Sequence, residues 1–274
     1  AKGCPGRFQV VVADNALSPT FGTEEADWHW QDGGTISIPE GNVPIKLHDL
    51  TGFDGRCEAI LFSRDPDFVP PADGTSLAAL RRQALGLTDQ PTDAGEFDLV
   101  VVGGGIAGCC AAISAARLGC TVALIQDRPV LGGNNSSEVR VWLDGKINFK
   151  PYPRIGDVVN ELNQKRRAHY GPANTADLYE DDRKIALVRA EKNISLFLST
   201  HVSEVETDGK KISAVIGRNI RTGVRLRFSG SVFADCTGDG TVGFLAGADY
   251  RIGREGKGET SENLAPAKPD MLTM

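Results

Sequence analysis

The order of apolar and polar residues changes character as the chain proceeds. Up to about Ser63, short apolar runs alternate with polar positions, and Gly or Pro interrupts them at close intervals. FQVVVAD alternates with period two, GGTISIPEGNVPIKLHDL reads as two strands about a Pro-Glu-Gly-Asn turn, and CEAILFS reads as a further short strand. This pattern predicts part of a β-sandwich over residues 1–65. Residues 66–96 are polar and Pro-rich and read as a linker, with one short helix around Ser76–Leu85.

From Phe97 the texture differs. FDLVVVG is a continuous apolar run, the mark of a strand buried on both faces of a parallel sheet. GIAGCCAAISAARLG is an Ala-rich helix, and TVALIQD is a second buried strand, so the three form a β-α-β unit. Ile155, Val158, Val159 and Leu162 predict a helical stripe within 155–169, and a second helix is expected over Thr175–Lys192 with Thr175 as its N-cap. SLFLSTHVSEVET, KKISAVIGRNI and VRLRFSG, joined at Asp208-Gly209 and Thr222-Gly223, predict an antiparallel meander. SVFADCTGDG then returns as a strand ending in a Gly-rich turn. The fold class is therefore α/β: a three-layer Rossmann-type domain with an added meander, preceded by a partial sandwich.

Composition narrows the picture without deciding it. The net charge is −6 over 274 residues, which argues against a nucleic-acid or anionic-membrane partner. No apolar stretch has the length of a membrane span. The six cysteines include no C-x-x-C pair, so zinc and dithiol readings have no support. His29, His48, His169 and His201 lack metal-like spacing. Trp28-His29-Trp30 is either sandwich core or, if both indoles share a strand face, a platform for a sugar.

The main chemical signal is Gly103-x-Gly105-x-x-Gly108, placed between a buried strand and a helix. Gly103 suits the tight turn, Gly105 lets a pyrophosphate approach the backbone, and Gly108 lets helix and strand pack closely. The free N–H groups of Ile106, Ala107 and Gly108 would attract the phosphates. Where such units end their second strand on a carboxylate for the adenosine ribose, this one has Gln126, followed by Asp127 and Arg128. Gln126 or Asp127 is expected to face the ribose. Arg128 could meet a phosphate, which leaves an NADP-dependent dehydrogenase as an alternative.

The run VVVGGGIAGCCAAISAARLG with VALIQDRPVLGG resembles the FAD-binding unit of glutathione-reductase-like flavoproteins. More closely, QDRPVLGGNNSSEVRVW together with FADCTGDGTVGFLAGADYRIGRE resembles a family of FAD-dependent oxidoreductases found largely in bacteria. The resemblance implies FAD as cofactor and an FAD-binding domain over 97–274, C-terminally incomplete. It also implies cofactor contacts from Gly132 and Gly133, from the backbone of Val202, and from Thr237 and Gly238. Asp239 is expected either to reach the cofactor or to cap the helix after it. NNSSEV follows the Gly-Gly where flavin disulfide reductases carry a cysteine pair, so a dithiol relay is not expected. Glu138 and Arg140 are the catalytic candidates, the alternative being a local ion pair between them.

HWQDGG with IKLHDLTGFDGRCEAILFS resembles golvesin- or xanthan-lyase-associated sandwich modules, and the match is expected to begin part-way through the module. That module implies a carbohydrate or glycoside substrate, and it favours a secreted or periplasmic setting. The reading is thus an FAD-dependent oxidoreductase acting on a small molecule or carbohydrate. A carbohydrate-binding or scaffolding fragment with an empty nucleotide fold is the other alternative.

Overall fold

The computed structural model describes residues 6–24, 27–51 and 56–272. The chain divides into two compact units, Ala1–Gly86 and Leu87–Met274.

In the first unit, strands β1 (Phe8–Val12), β2 (Asn15–Ala16) and β3 (Ile45–Asp49) form an antiparallel sheet in the order β2-β1-β3. The period-two pattern buries Phe8, Val10 and Val12 against Phe21. Among the described residues of this unit this is the one sheet. Ile36–Ile38 and Cys57–Ser63 form no strand. Pro39, which has no N–H to donate, opens the first expected turn and Pro44 follows it, and Ile60, Leu61 and Phe62 are exposed with no partner strand among the described residues. The Trp28–Trp30 segment is not a strand either, and Trp28 is exposed while Trp30 donates to the carbonyl of Pro71 at 3.0 Å. Helix α1 (Gly74–Ala84) begins where Asp73 accepts the Ser76 amide at 2.8 Å.

The second unit holds one six-stranded sheet. Its elements are β4 (Thr92–Val102), α2 (Ile106–Arg117), β5 (Val122–Ile125), α3 (Asp157–Leu162), α4 (Asp181–Ala190), β6 (Ile194–Phe197), β7 (Thr200–Asp208), β8 (Lys211–Asn219), β9 (Arg225–Asp235), α5 (Thr241–Leu245) and α6 (Lys257–Thr260). The strand order is β6-β5-β4-β9-β8-β7, with the first four parallel and the last two antiparallel. β4 lies centrally, and Val100, Val101 and Val102 are buried, as a two-sided strand requires. On one face α2 and α3 pack on Val101, Val122 and Leu124 through Cys109, Ala112, Ile113 and Leu162. On the other, Val202, Val215 and Phe228 of the meander pack on Val100, Val102, Ala123 and Ile125. Helices thus cover one face of the sheet, and side chains of the meander strands that extend it pack on the other.

Two helices differ from the periodic reading. α3 stops at Leu162 because Asn163 is extended, and Ile155 lies exposed before it. The helix expected over 175–192 is broken at Glu180, whose φ of 49° separates a 3₁₀ turn (Ala176–Tyr179) from α4. Thr175 takes the cap position of that turn without a side-chain bond to its amides. Among the described residues no helix is long and apolar enough to cross a membrane.

Candidate functional site

The site is built where three loops meet at the C-terminal ends of β4, β5 and β9. The turn after β4 is fixed by packing. Gly103 has a φ of 104°, and a Cβ there would lie 2.2 Å from the Cys236 carbonyl oxygen, so the Cys236-Thr237 turn rests directly on it. A Cβ on Gly108 would lie 1.8 Å from the Gly103 carbonyl oxygen, which places the first turn of α2 on the end of β4. The Gly132 amide donates to the Gly104 carbonyl at 2.9 Å, and a Cβ on Gly133 would approach the Gly105 Cα at 3.2 Å. Gly103, Gly105, Gly108, Gly132 and Gly133 are therefore brought together.

Gly105 behaves differently from its neighbours. It is the N-cap of α2, no side chain caps the helix, and a Cβ there meets nothing within 4 Å. A Cβ on Gly238 also meets nothing within 4 Å. The first helical hydrogen bond is donated by Cys109, to the Gly105 carbonyl, so the amides of Ile106, Ala107 and Gly108 precede the helical ladder. Backbone donors, the positive end of a helix dipole and a side-chain-free gap occur together. These residues fit a nucleotide pyrophosphate.

Gln126 is 5% exposed and its amide is spent inside the protein. Oε1 accepts the Gly104 amide at 2.8 Å and Nε2 donates to the Val130 carbonyl at 3.1 Å. It ties the glycine turn to the loop after β5, so the expectation of a ribose contact from Gln126 or Asp127 narrows to Asp127, which is exposed at the strand end. A carboxylate could accept from Gly104 but could not donate to Val130, which gives the amide at this position a physical reason. Arg128 donates Nε to Glu138 at 2.8 Å. The local pair expected between Glu138 and Arg140 is thus replaced by Arg128–Glu138. Arg140 instead donates to the carbonyls of Ser137 and Asn174.

Val202 is buried, opposite Gly217 of β8. The Thr200 amide donates to the Gln126 carbonyl at 2.9 Å, and strand parity turns the backbone of Val202 to the same side of β7, away from β8. The Thr237 hydroxyl donates to Asp235 and accepts the Thr241 amide. Asp239 is exposed and does not cap α5, which removes one of its two expected roles.

The residue that sequence reasoning missed is Asp235. Its Oδ1 accepts the amide and hydroxyl of Thr237 at 3.1 and 2.7 Å, and its Oδ2 accepts the amides of Val242 and Gly243 at 2.8 and 3.0 Å. Burial alone would push its carboxyl up, but these donors outweigh it and hold it below the usual carboxylate range. A depressed folded value means the contribution is present above the unfolded pKa near 4 and is lost as pH falls through the folded value. Asp235→Asn should cost about 1 kcal/mol near neutral pH, with the gap to the wild type closing in unfolding measurements as pH falls through the folded value.

Thiol chemistry finds no footing here. Burial pushes the Cys109 thiol up to about 12 and also raises those of Cys110 and Cys236, so none is a ready thiolate near neutral pH.

A model of the family described as FAD dependent oxidoreductase matches residues 98–274. The tRNA uridine 5-carboxymethylaminomethyl modification enzyme MnmG of Pelobacter propionicus is 26% identical over 155 residues, covering 52% of this chain and 24% of the relative. Its counterpart in Geobacter metallireducens matches with the same identity and coverage. The chain thus spans about a quarter of the length of these curated relatives. Among solved structures, Mycobacterium smegmatis Sdh1 in complex with UQ1 is 17% identical, with a TM-score of 0.39 over 53% of this chain and 34% of that one. With the family match running through the glycine turn, the Gly-Gly loop and the Asp235 turn, the chain belongs to the FAD dependent oxidoreductase family and its cofactor is FAD.

Proposed function

We propose that the second unit holds FAD with its pyrophosphate over the N-terminus of α2, in an oxidoreductase whose substrate is a small molecule. The observation that carries this is the gap at Gly105, which is open to a Cβ while Gly103, Gly104 and Gly108 beside it are closed. The amides of Ile106, Ala107 and Gly108 would hold the phosphates, and Gly133 and Gly238 would admit the cofactor to the backbone. Asp127 would accept from the ribose hydroxyls, and the free edge of Val202 would meet the adenine. Bound flavin supplies the acceptor for a hydride or electrons. The chain's residues bind and orient it; they do not perform the redox step.

Three observations shape the cofactor and substrate reading. Arg128 is engaged by Glu138, which disfavours a 2′-phosphate and hence NADP. The net charge of −6 weighs against a polyanion, although the MnmG relatives are named for tRNA modification. A carbohydrate or glycoside is suggested by the resemblance of the first unit to sandwich modules; Trp28 is exposed there, but no strand pairs it with Trp30.

Titration with FAD, followed by flavin fluorescence, tests the assignment. Asp127→Ala should weaken binding roughly 10-fold and Arg128→Ala should leave it within a factor of about 2. NADP should not compete. Competition by NADP that Arg128→Ala abolishes would overturn the reading.

A further inference from the structure

We propose that Lys184 is a positioning residue for the cofactor: its ammonium holds the loop from Gly132 to Ser137 in the shape that keeps the gap over α2 open. The inference rests on the assignment of that gap to FAD. Lys184 lies in the first turns of α4 and is 0% exposed, a rare state for a lysine. Its Nζ donates to the carbonyl oxygens of Asn135 and Tyr179, each at 2.6 Å, and stands 3.7 Å from the Asp181 carboxylate. The Asp181 oxygens accept the Ser137 amide at 3.2 and 3.3 Å. One turn of α4 therefore grips the loop on both sides of Ser136, by a carbonyl before it and an amide after it.

The stem of the same lysine lies beneath the glycines. A Cβ on Gly132 would come within 3.3 Å of the Lys184 Cδ. The Asn135 amide donates to the Gly132 carbonyl at 3.0 Å, so the carbonyl that Lys184 holds belongs to the residue closing the Gly-Gly turn. That turn reaches the α2 gap through the Gly132 amide on the Gly104 carbonyl.

Packing alone does not call for an ammonium here. A buried methionine of similar length would fill the space without the desolvation cost of a charge. Two buried carbonyls converging on one point, however, need a donor with several N–H groups. The second carbonyl carries the grip further. It belongs to Tyr179, whose ring stacks on Trp142 at 4.5 Å and whose hydroxyl donates to the Asn174 side chain at 3.0 Å. Asn174 in turn donates to the Arg140 carbonyl at 3.1 Å, so the segment leaving the loop is fixed from the same centre.

The test is FAD titration of Lys184→Ala, alone and with added n-propylammonium, which supplies the deleted carbons and ammonium. FAD affinity should fall roughly 10- to 100-fold. n-Propylammonium should restore most of it, whereas tetramethylammonium, a cation with no N–H, should not. Unchanged affinity, or a loss that n-propylammonium does not repair, overturns the positioning role. Should Lys184→Ala fail to fold, Lys184→Met decides: a folded variant that binds FAD like the wild type overturns the role, and a 10-fold or greater loss supports it. Gly105→Val is run alongside. If it binds FAD normally, the assignment of the gap fails; if it loses FAD while Lys184→Ala does not, only the role of Lys184 fails.

Discussion

Gly108→Ala is expected to destabilise the chain by about 3 kcal/mol and to remove FAD binding with it. Helix propensity alone predicts the opposite sign, since Gly to Ala inside a helix ordinarily gains about 1 kcal/mol. The new methyl group, however, would lie 1.8 Å from the Gly103 carbonyl oxygen and 3.0 Å from its carbon, with the Cys236 Cβ at 3.3 Å. Neither Gly103 nor α2 is free to yield. Gly103 is pressed between the Cys236-Thr237 turn and the helix, and its amide donates to the Ile125 carbonyl at 2.8 Å. α2 is locked to β4 and β5 by Cys109, Ala112 and Ile113, which are buried to within 1%. The substitution must therefore lift the helix off the strand and move its free amides with it. Urea unfolding and FAD titration read the two consequences separately.

The second large effect is expected from Gln126→Glu, the change that would restore the acidic residue more usual at this position. At neutral pH it should cost about 2–4 kcal/mol. The introduced carboxylate would keep the bond from the Gly104 amide, but its other oxygen would face the Val130 carbonyl where Nε2 now donates across 3.1 Å. At 5% exposure that repulsion is not relieved by water. Protonation would relieve it by supplying a donor. The folded pKa of the new group is thus raised above its unfolded value of about 4.3. The sign follows: the variant matches the wild type below the unfolded pKa and loses stability as pH rises through the folded one. Melting temperatures of both proteins between pH 4 and pH 8 should diverge upward in pH. Parallel curves would mean that Gln126 does not donate to Val130.

These two residues mark how far the sequence is legible. The glycine turn is readable because each role is local: a strand end, a helix start and a backbone approach follow from spacing on one β-α-β unit. The same holds for the meander, whose Gly209 and Gly223 adopt positive φ at the expected turns. Gln126 is readable in place but not in role, because its partners are set by where the later loop folds back. Asp235 escaped for a similar reason. FADCTGDG offers two acids, and only the register of β9 on β4, Asp235 opposite Val102, directs the first toward α5. Lys184 is hidden more thoroughly. In DDRKIALVRA it reads as one of the charged positions of a solvated face, and the break at Glu180 changes which residues of that segment turn inward. In the first unit, the apolar run at Cys57–Ser63 did not make a strand, since an apolar pattern acts only where a neighbouring strand offers its edge.

The central claim is that the space above α2 is kept clear for the cofactor and serves no structural end. Gly105→Val tests it most directly. The backbone there has a φ of −63°, a value any residue adopts, and the first atom of the new side chain meets nothing within 4 Å. Equilibrium titration with FAD, beside circular dichroism of the same samples, is predicted to show a folded chain whose affinity has dropped at least 100-fold. A folded Gly105→Val chain that binds FAD as tightly as the wild type would contradict the account.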